Sequence, residues 1–194
     1  MKTIDSALIG DFKGIEYPAR RQFPNNEIVD RWKNIGHLYV NYTGMIREEY
    51  RGLPDWTHEI VNRFKRKFIK EGDKWLMIRD TSISMYRMPP GTIMPEHEDT
   101  YPRFKELFDV EDVNKICRIL VFMDDWKSGH YFELNGVPYT NWSKGDYVYW
   151  RGMTPHIAAN LGVEDRYTMQ ITGIISEKTQ WLIDNPDPNR VIEV

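Results

Sequence analysis

The length, composition and charge of the chain are those of an ordinary globular domain. Its 194 residues are 41% hydrophobic, which is enough to fill one core. The 26 basic and 29 acidic residues leave a net charge of −3, a balance that does not favour nucleic acid or an anionic membrane as the main partner.

The chain shows no linker-like stretch, low-complexity tract or internal repeat. We therefore expect a single domain over residues 1–194, with a mainly helical part at 1–80, a β-strand core at 81–175 and a C-terminal extension at 176–194. Residues 1–12 lack the hydrophobic region of a signal peptide, and no stretch is long and apolar enough to span a membrane. The predicted location is cytoplasmic.

Two helical patterns occur in the first 80 residues. Asn25 or Asn26 can cap a first helix, in which Ile28, Trp32 and Ile35 recur at helical spacing. A stronger pattern begins at Pro54-Asp55 and stops at Glu71-Gly72-Asp73. Its apolar residues recur at every fourth position and predict an amphipathic helix; they are Trp56, Ile60, Phe64 and Phe68.

The opposite face of that second helix is basic. A polyanion-binding patch is one interpretation, but the aromatic residues fall on the stripe that packs against the core. An ordinary solvated face is therefore the better interpretation of the basic residues. They are Arg63, Lys65, Arg66, Lys67 and Lys70.

From Lys74 onward, short apolar or alternating runs are separated by turn residues, a pattern typical of an all-β sandwich or barrel. A double-sheet jelly roll is one such architecture. The longer, more polar segment Thr100–Asn114 predicts an inserted loop or short helix beside the site that the strands build. The predicted strands are 75–79, 83–88, 92–97, 116–123, 130–134, 146–150, 156–160 and 167–175.

Cys117 is the only cysteine, which excludes an intramolecular disulfide and a cysteine-rich zinc site. Its apolar neighbours Ile116 and Ile119 predict a small buried residue and argue against a catalytic thiol.

His97 and Asp99 are candidate metal ligands. They lie two residues apart at the end of a predicted strand, so both side chains leave the same face. The pair alone is a weak signal, but His156 begins a later apolar strand and adds a second imidazole. Two histidines and one carboxylate on one face of a six-coordinate ion are the pattern of non-haem iron(II) oxygenases. A structural zinc ion would need a fourth ligand, for which His130 is the candidate.

Arg166 and Thr168 are candidate ligand-binding residues. On an extended strand their side chains point to one side and offer a guanidinium fork and a hydroxyl, which together can hold a carboxylate.

The order His97-x-Asp99, His156 and Arg166-x-Thr168 resembles the iron(II)- and 2-oxoglutarate-dependent dioxygenase superfamily, over roughly Ser82 to Gly173. The lead-in Pro90-Gly91-Thr92 looks similar to the aspartyl/asparaginyl β-hydroxylases and amino-acid hydroxylases. The chain lacks the second arginine that the nucleic-acid demethylase branch carries after the position of Arg166, so the resemblance does not point to that branch. Further segments that resemble the superfamily are Arg118-Ile119-Leu120-Val121-Phe122, Asp124-Asp125-Trp126 and Lys144-Gly145-Asp146.

The resemblance implies a mainly β protein, with a double-stranded β-helix (jelly-roll, cupin-like) core and flanking N-terminal helices. It implies iron(II) held by His97, Asp99 and His156, and 2-oxoglutarate whose C5 carboxylate meets Arg166, helped by Thr168. The implied reaction uses O2 to hydroxylate an unactivated C–H bond of an amino-acid, peptidyl or other small substrate, while 2-oxoglutarate is decarboxylated to succinate.

Two other functions stay open at this stage. A cupin-type metalloenzyme could use the same triad without 2-oxoglutarate, although Arg166 and Thr168 argue against it, and a jelly roll can be a non-catalytic binding protein. Two residue roles stay open as well. His130 could line the substrate side of the pocket or be a turn residue, and Tyr86 could hydrogen-bond the co-substrate if its strand phase turns it inward.

Overall fold

The computed structural model describes residues 1–17, 45–48, 52–66, 69–71, 74–76 and 78–176, and only the backbone at 45–48, 66, 69–71 and 74–76. The helices are α1 (Asp55–Arg66) and α2 (Pro102–Phe108), and short 3-10 turns lie at Ser6–Leu8 and Val113–Lys115. The strands are β1 (Lys2–Thr3), β2 (Met45–Glu48), β3 (Ile69–Glu71), β4 (Lys74–Leu76), β5 (Ile78–Met88), β6 (Thr92–His97), β7 (Ile116–Phe122), β8 (His130–Leu134), β9 (Val137–Tyr139), β10 (Asp146–Arg151), β11 (His156–Asn160) and β12 (Arg166–Ile175).

The eight strands from β5 to β12 form a double-stranded β-helix. The larger sheet has the order β1-β10-β7-β12-β5-β2, the smaller one has the order β6-β11-β8-β9, and both are antiparallel. The chain passes repeatedly from one sheet to the other, which is the connectivity of a jelly roll. The predicted mainly β, jelly-roll fold class is confirmed.

The outer face of the larger sheet packs against α1. Pro54 precedes the helix, Thr57 donates to its carbonyl oxygen at 2.7 Å, and Asp55 in the first turn is favourable to the helix dipole. Ile60 and Phe64 are buried in one cluster with outer-face residues of the larger sheet. The predicted amphipathic helix is confirmed over Asp55–Arg66, but its predicted end at Glu71 is wrong, because Ile69–Glu71 forms β3 and pairs with β4.

The inner faces of the two sheets enclose the interior where the candidate site lies. Along β12, Met169 and Ile171 point outward to the α1 cluster, so Arg166, Thr168 and the other even-numbered residues point between the sheets. One part of this interior is filled by a mainly aromatic and aliphatic cluster, which contains Met88, Leu120, Phe122, Phe132, Trp142, Val148, Trp150 and Ala158.

The predicted strand positions agree with the structure for the jelly-roll core, except that β9 was not predicted and β5 is divided differently. The pattern splits 75–79 from 83–88, whereas β5 runs unbroken from Ile78 to Met88. Asp80 has a φ of 44°, and the pairing of β5 with β12 shifts register at this place. Such an irregularity interrupts the alternation of apolar and polar residues, so one bent strand resembles two.

The segment Thr100–Asn114 contains α2 and the start of a 3-10 turn, in agreement with the predicted short helix or inserted loop. The described part of 1–80 contains α1, one 3-10 turn and the strands β1 to β4, in addition to the start of β5, so helix is less dominant there than predicted. The helix predicted after Asn25 lies outside the described residues, as do Phe68 and residues 177–194. Within the described residues no helix has the length and apolar character needed to cross a membrane.

Candidate metal centre

His97, Asp99 and His156 meet at the edge of the smaller sheet. His97 ends β6, His156 begins β11, and the two are directly paired across these antiparallel strands, with ring centroids 4.1 Å apart. The pairing shifts register just after His156, an irregularity of the kind that re-aims side chains beside active sites. One donor atom from each of the three side chains lies within 4.8 Å of the others, so the group could hold a metal ion.

Both imidazoles are held in the tautomer that metal ligation needs. The Nδ1 atom of His97 donates to the Pro95 carbonyl oxygen at 2.8 Å, and that of His156 donates to the Thr154 carbonyl oxygen at 2.9 Å. Because a carbonyl oxygen only accepts, each Nδ1 carries a hydrogen, and in the neutral ring Nε2 presents its lone pair. Hydrogen bonds of this kind orient the rings of metal-binding histidines.

The local electrostatics favour the charge states of a ligand set. Burial lowers the pKa of His97 to about 4, helped by the neighbouring His156, so His97 is neutral at neutral pH. Burial by itself would raise the pKa of Asp99, but the Arg118 guanidinium and the two histidines outweigh it and hold that pKa well below its usual range. A neutral imidazole beside an ionised carboxylate is what a divalent metal requires.

The contact between His156 and Asp99 also fits a shared ion. Nε2 of His156 lies 3.3 Å from Oδ2 of Asp99, and in the neutral tautomer both atoms are acceptors. Adjacent ligands of a six-coordinate divalent metal with bonds of about 2.1 Å lie about 3 Å apart. A cation between the two acceptors would turn an unfavourable contact into a favourable one.

Arg118 reaches the same cluster, which the sequence pattern did not reveal. It lies on the inner face of β7 with Leu120 and Phe122, and its Nη1 donates to Oδ2 of Asp99. Its guanidinium lies 4.7 Å from the ring centroid of Tyr101. The sequence offers Arg118 as part of a strand motif and as an alternative anchor for a carboxylate, but its separation of 19 positions from Asp99 hides this contact.

The backbone and the hydroxyl of Tyr101 together fix the position of its ring. Its φ of 53° is a left-handed conformation that costs a residue other than glycine about 1–2 kcal/mol. Its hydroxyl donates to the Gly152 carbonyl oxygen at 3.1 Å, in the loop that leads to His156. Strain of this kind persists only where the surroundings enforce it, and here it keeps the ring against Arg118.

Arg166 occupies the aromatic part of the interior. Its side chain is almost fully buried, with the residue 4% exposed, and Nη1 approaches the Met88 sulfur at 3.5 Å. No described residue accepts a hydrogen bond from its Nε or Nη2. Burial lowers the pKa of Arg166 to about 10, so the guanidinium stays charged at neutral pH. The centroids of the surrounding rings lie 5.5–5.9 Å from its Cζ; the rings belong to Phe122, Phe132 and Trp142.

The Phe132 ring lies near both Arg166 and the histidine–carboxylate cluster. The Phe132 centroid is 5.9 Å from the Arg166 Cζ and 6.5 Å from the His156 ring centroid. Thr168 is buried on the same face of β12 as Arg166. The structure therefore brings all five predicted site residues to one interior.

Tyr86 and His130 take different places around this interior. Tyr86 pairs directly with Thr168, and its hydroxyl donates to the Gln170 amide oxygen at 3.3 Å when that amide faces it. His130 lies outside the metal cluster. It is buried, its Nε2 donates to the Glu164 carbonyl oxygen at 3.1 Å, and its ring stacks near Trp142.

Asn160 supports the turn that precedes Arg166, a role that the sequence pattern did not single out. Its Nδ2 donates to the carbonyl oxygens of Met88 and Glu164, both at 2.7 Å, and its Oδ1 accepts from the Gly162 amide at 3.1 Å. The pattern Asn160-x-Gly162 predicts a turn, but only the structure shows that this turn joins three segments around Arg166.

Taken together, the fold and the cluster define a double-stranded β-helix protein with two histidines and one aspartate gathered on its inner side. Neither a protein-family model nor a curated protein sequence matches the chain.

Several solved structures are similar in fold. A Pseudomonas putida prolyl-4-hydroxylase is 13% identical, with 77% of this chain and 83% of that one covered and a TM-score of 0.49. A double-stranded β-helix protein from Klebsiella pneumoniae is 13% identical, with 66% and 99% covered and a TM-score of 0.37. A predicted oxalate decarboxylase from Thermotoga maritima is 16% identical, with 48% and 65% covered and a TM-score of 0.32. The fold assignment rests on the strand order of the two sheets.

Proposed function

We propose that the protein is an iron(II)- and 2-oxoglutarate-dependent oxygenase that hydroxylates an unactivated C–H bond of an amino-acid, peptidyl or other small substrate. The observation that carries the proposal is Arg166. A buried guanidinium with two unpartnered N–H groups is unfavourable unless a ligand supplies an anion.

A dicarboxylate has one acidic group for each of the two parts of the site. The α-keto acid end of 2-oxoglutarate would meet the metal held by His97, Asp99 and His156, and its distal carboxylate would meet Arg166. The Nε and Nη2 atoms of one guanidinium form the fork that binds a carboxylate with two parallel hydrogen bonds. Thr168, on the same face of β12, would add a hydroxyl.

The aromatic residues around Arg166 would strengthen this contact. Phe122, Phe132 and Trp142 exclude water from the guanidinium, and electrostatic attraction is stronger where water is excluded. A neutral ligand would leave the buried charge of Arg166 uncompensated. We therefore expect selectivity for a charged co-substrate.

Iron(II), 2-oxoglutarate and O2 would together supply hydroxylation, in which one oxygen atom enters the product hydroxyl and the other enters succinate as CO2 is released. The residues of the chain would bind and orient these reactants. His97, Asp99 and His156 would occupy one face of the metal and leave the opposite face open to them.

The experiment that tests the proposal measures succinate. Protein loaded with iron(II) is supplied with 2-oxoglutarate, O2 and candidate amino acids, peptides or cell-extract fractions, and products heavier by one oxygen are sought. We expect succinate to form only when iron(II) and 2-oxoglutarate are both present. Substrate conversion without succinate would favour a cupin-type enzyme that does not use 2-oxoglutarate, and failure to retain iron would favour a binding protein.

A further inference from the structure

We propose that Arg118 binds a carboxylate of the primary substrate, and that the metal frees Arg118 for this task by taking Asp99 from it. The inference rests on the proposed function and specifies its substrate class: a polar molecule that carries a carboxylate near the carbon to be hydroxylated.

The two contacts to Asp99 are the first observation. Nη1 of Arg118 and Nε2 of His156 both approach the same oxygen, Oδ2. This is the oxygen turned toward the histidines, so it is the one that a metal would take. If Arg118 served only to orient Asp99, the other oxygen, Oδ1, would be its natural partner. Arg118 and the metal instead compete for one atom.

The charges of the filled site give the second argument. A divalent metal and the guanidiniums of Arg166 and Arg118 carry four positive charges, whereas Asp99 and 2-oxoglutarate carry three negative charges. One positive charge is left in a largely buried interior, which is unfavourable. A single substrate carboxylate beside Arg118 cancels it, whereas a neutral or cationic substrate does not.

The guanidinium is also oriented in advance. When the Gln170 amide oxygen faces Arg118, this oxygen accepts hydrogen bonds from the Arg118 Nε at 3.1 Å and Nη1 at 3.2 Å. The Tyr101 ring lies against the guanidinium, and the Arg118 side chain keeps 13% of its surface exposed. Arg118 is therefore held in place but can still be reached by a ligand, which lowers the entropy cost of binding.

The interior around Arg118 is polar, unlike the aromatic surroundings of Arg166. Thr172 is the direct partner of Arg118 across β7 and β12, and serines of β5 continue the same face. Hydroxyl and amide groups suit a hydrophilic ligand. The buried or half-buried polar residues of this face are Ser82, Ser84, Gln170 and Thr172.

Manganese(II) binding tests the competition without any need for turnover or for a known substrate. The affinity for Mn(II) alone is measured by electron paramagnetic resonance in wild type, Arg118→Gln and Arg79→Gln. Arg79 is an exposed arginine at the start of β5, so its variant controls for the change in net charge. Because Arg118 opposes the metal, we expect Arg118→Gln to bind Mn(II) on the order of tenfold more tightly. Arg79→Gln should match wild type. Equal or weaker binding by Arg118→Gln would overturn the proposal.

Formate, the smallest carboxylate, then tests the binding role, with formamide as its neutral counterpart. Formate should tighten Mn(II) binding by wild type about threefold or more, and formamide should not. In Arg118→Gln, formate and formamide should have the same effect on Mn(II) binding. Arg118→Lys keeps the charge without the planar fork, so it should bind Mn(II) like wild type but respond less to formate. It also serves as the test if Arg118→Gln does not fold. A formate effect of the same size in every variant would assign the carboxylate to the metal and not to Arg118.

The outcomes separate this inference from the proposed function. A wild type that binds both Mn(II) and 2-oxoglutarate leaves the proposed function standing, whatever the Arg118 variants do. A wild type that binds no Mn(II) refutes both.

Discussion

His97 and His156 face each other directly across the antiparallel strands β6 and β11, with ring centroids 4.1 Å apart. The pairing of two strands that lie far apart in the sequence therefore brings two of the three candidate ligands together. The third, Asp99, follows His97 by two residues and reaches His156 at 3.3 Å.

Metal binding should depend on His97 and Asp99. We expect one Mn(II) or iron(II) per chain, and His97→Ala or Asp99→Ala should lower the affinity by more than about a hundredfold, since loss of a residue that merely supports a ligand already costs 10–100-fold. Titration under anaerobic conditions measures the affinity. His58→Ala, a change in α1, is the matched control and should bind like wild type. Near-normal binding by either ligand variant would refute the triad.

His156 is expected to be the distal ligand, and His130 is not. His130 already donates from Nε2 to a carbonyl oxygen at 3.1 Å and lies outside the cluster. His130→Ala should therefore retain the metal, and His156→Ala should bind it poorly in the same titration. The reverse result would move the ligand to His130.

Arg166→Lys should weaken 2-oxoglutarate binding. A hydrogen bond to a charged group is worth about 1.5–3 kcal/mol, so loss of the fork should raise the apparent KM for 2-oxoglutarate about tenfold to a hundredfold. Metal affinity should change little, and Thr168→Ala should have a milder effect of the same kind. Succinate release at varied 2-oxoglutarate measures the KM.

Arg87→Lys is the control for Arg166→Lys. Arg87 lies on β5 but points to the other face, where it approaches Asp165. The KM of the Arg87→Lys variant for 2-oxoglutarate should equal that of wild type. Arg118 on β7 and Arg151 at the end of β10 are the alternative anchors for this carboxylate. An unchanged KM in Arg166→Lys, together with a large defect in Arg118→Ala or Arg151→Ala, would transfer the role to one of those arginines.

Gly129→Ala should destabilise the protein much more than Gly136→Ala. Both glycines have positive φ, 89° and 76°, so both variants carry the backbone cost of about 1–2 kcal/mol. A Cβ at Gly129 would also lie 2.2 Å from the Gly162 nitrogen, whereas none of the described atoms lies within 4 Å at Gly136. We expect Gly129→Ala to lower the free energy of unfolding, measured with urea, by at least about 3 kcal/mol. Equal losses would show that the backbone contact between Gly129 and Gly162 is unimportant.

Cys117 should be inert in the folded protein. It is 0% exposed, and burial raises the pKa of its thiol to about 12, so almost no thiolate exists at pH 8. A chromogenic disulfide reagent should not react with the native protein at pH 8 but should react with one thiol per chain in urea. Because the raised pKa favours the protonated folded state, this contribution to stability is present below the unfolded value of about 9 and is lost as the pH rises toward 12. Rapid reaction of the native protein would show that the thiol is accessible.

Much of the jelly roll could be predicted because its strands carry local signals. Thr92–His97, His130–Leu134 and His156–Asn160 are short apolar runs bounded by turn residues, and the structure has them at these same bounds. The bend at Asp80 was missed, since an irregularity breaks the period of two on which such a prediction depends. Strands as short as β1 or β9 hold too few residues for any period.

The sequence by itself determined the candidate site residues and their order. His97-x-Asp99 and Arg166-x-Thr168 are pairs two residues apart, and a strand turns both members of such a pair to one face. Tertiary structure decided what surrounds them. The contact of Arg118 with Asp99 spans 19 residues, and the aromatic rings around Arg166 come from β7, β8 and the loop before β10. These contacts depend on how the two sheets stack, and no local periodicity records that arrangement.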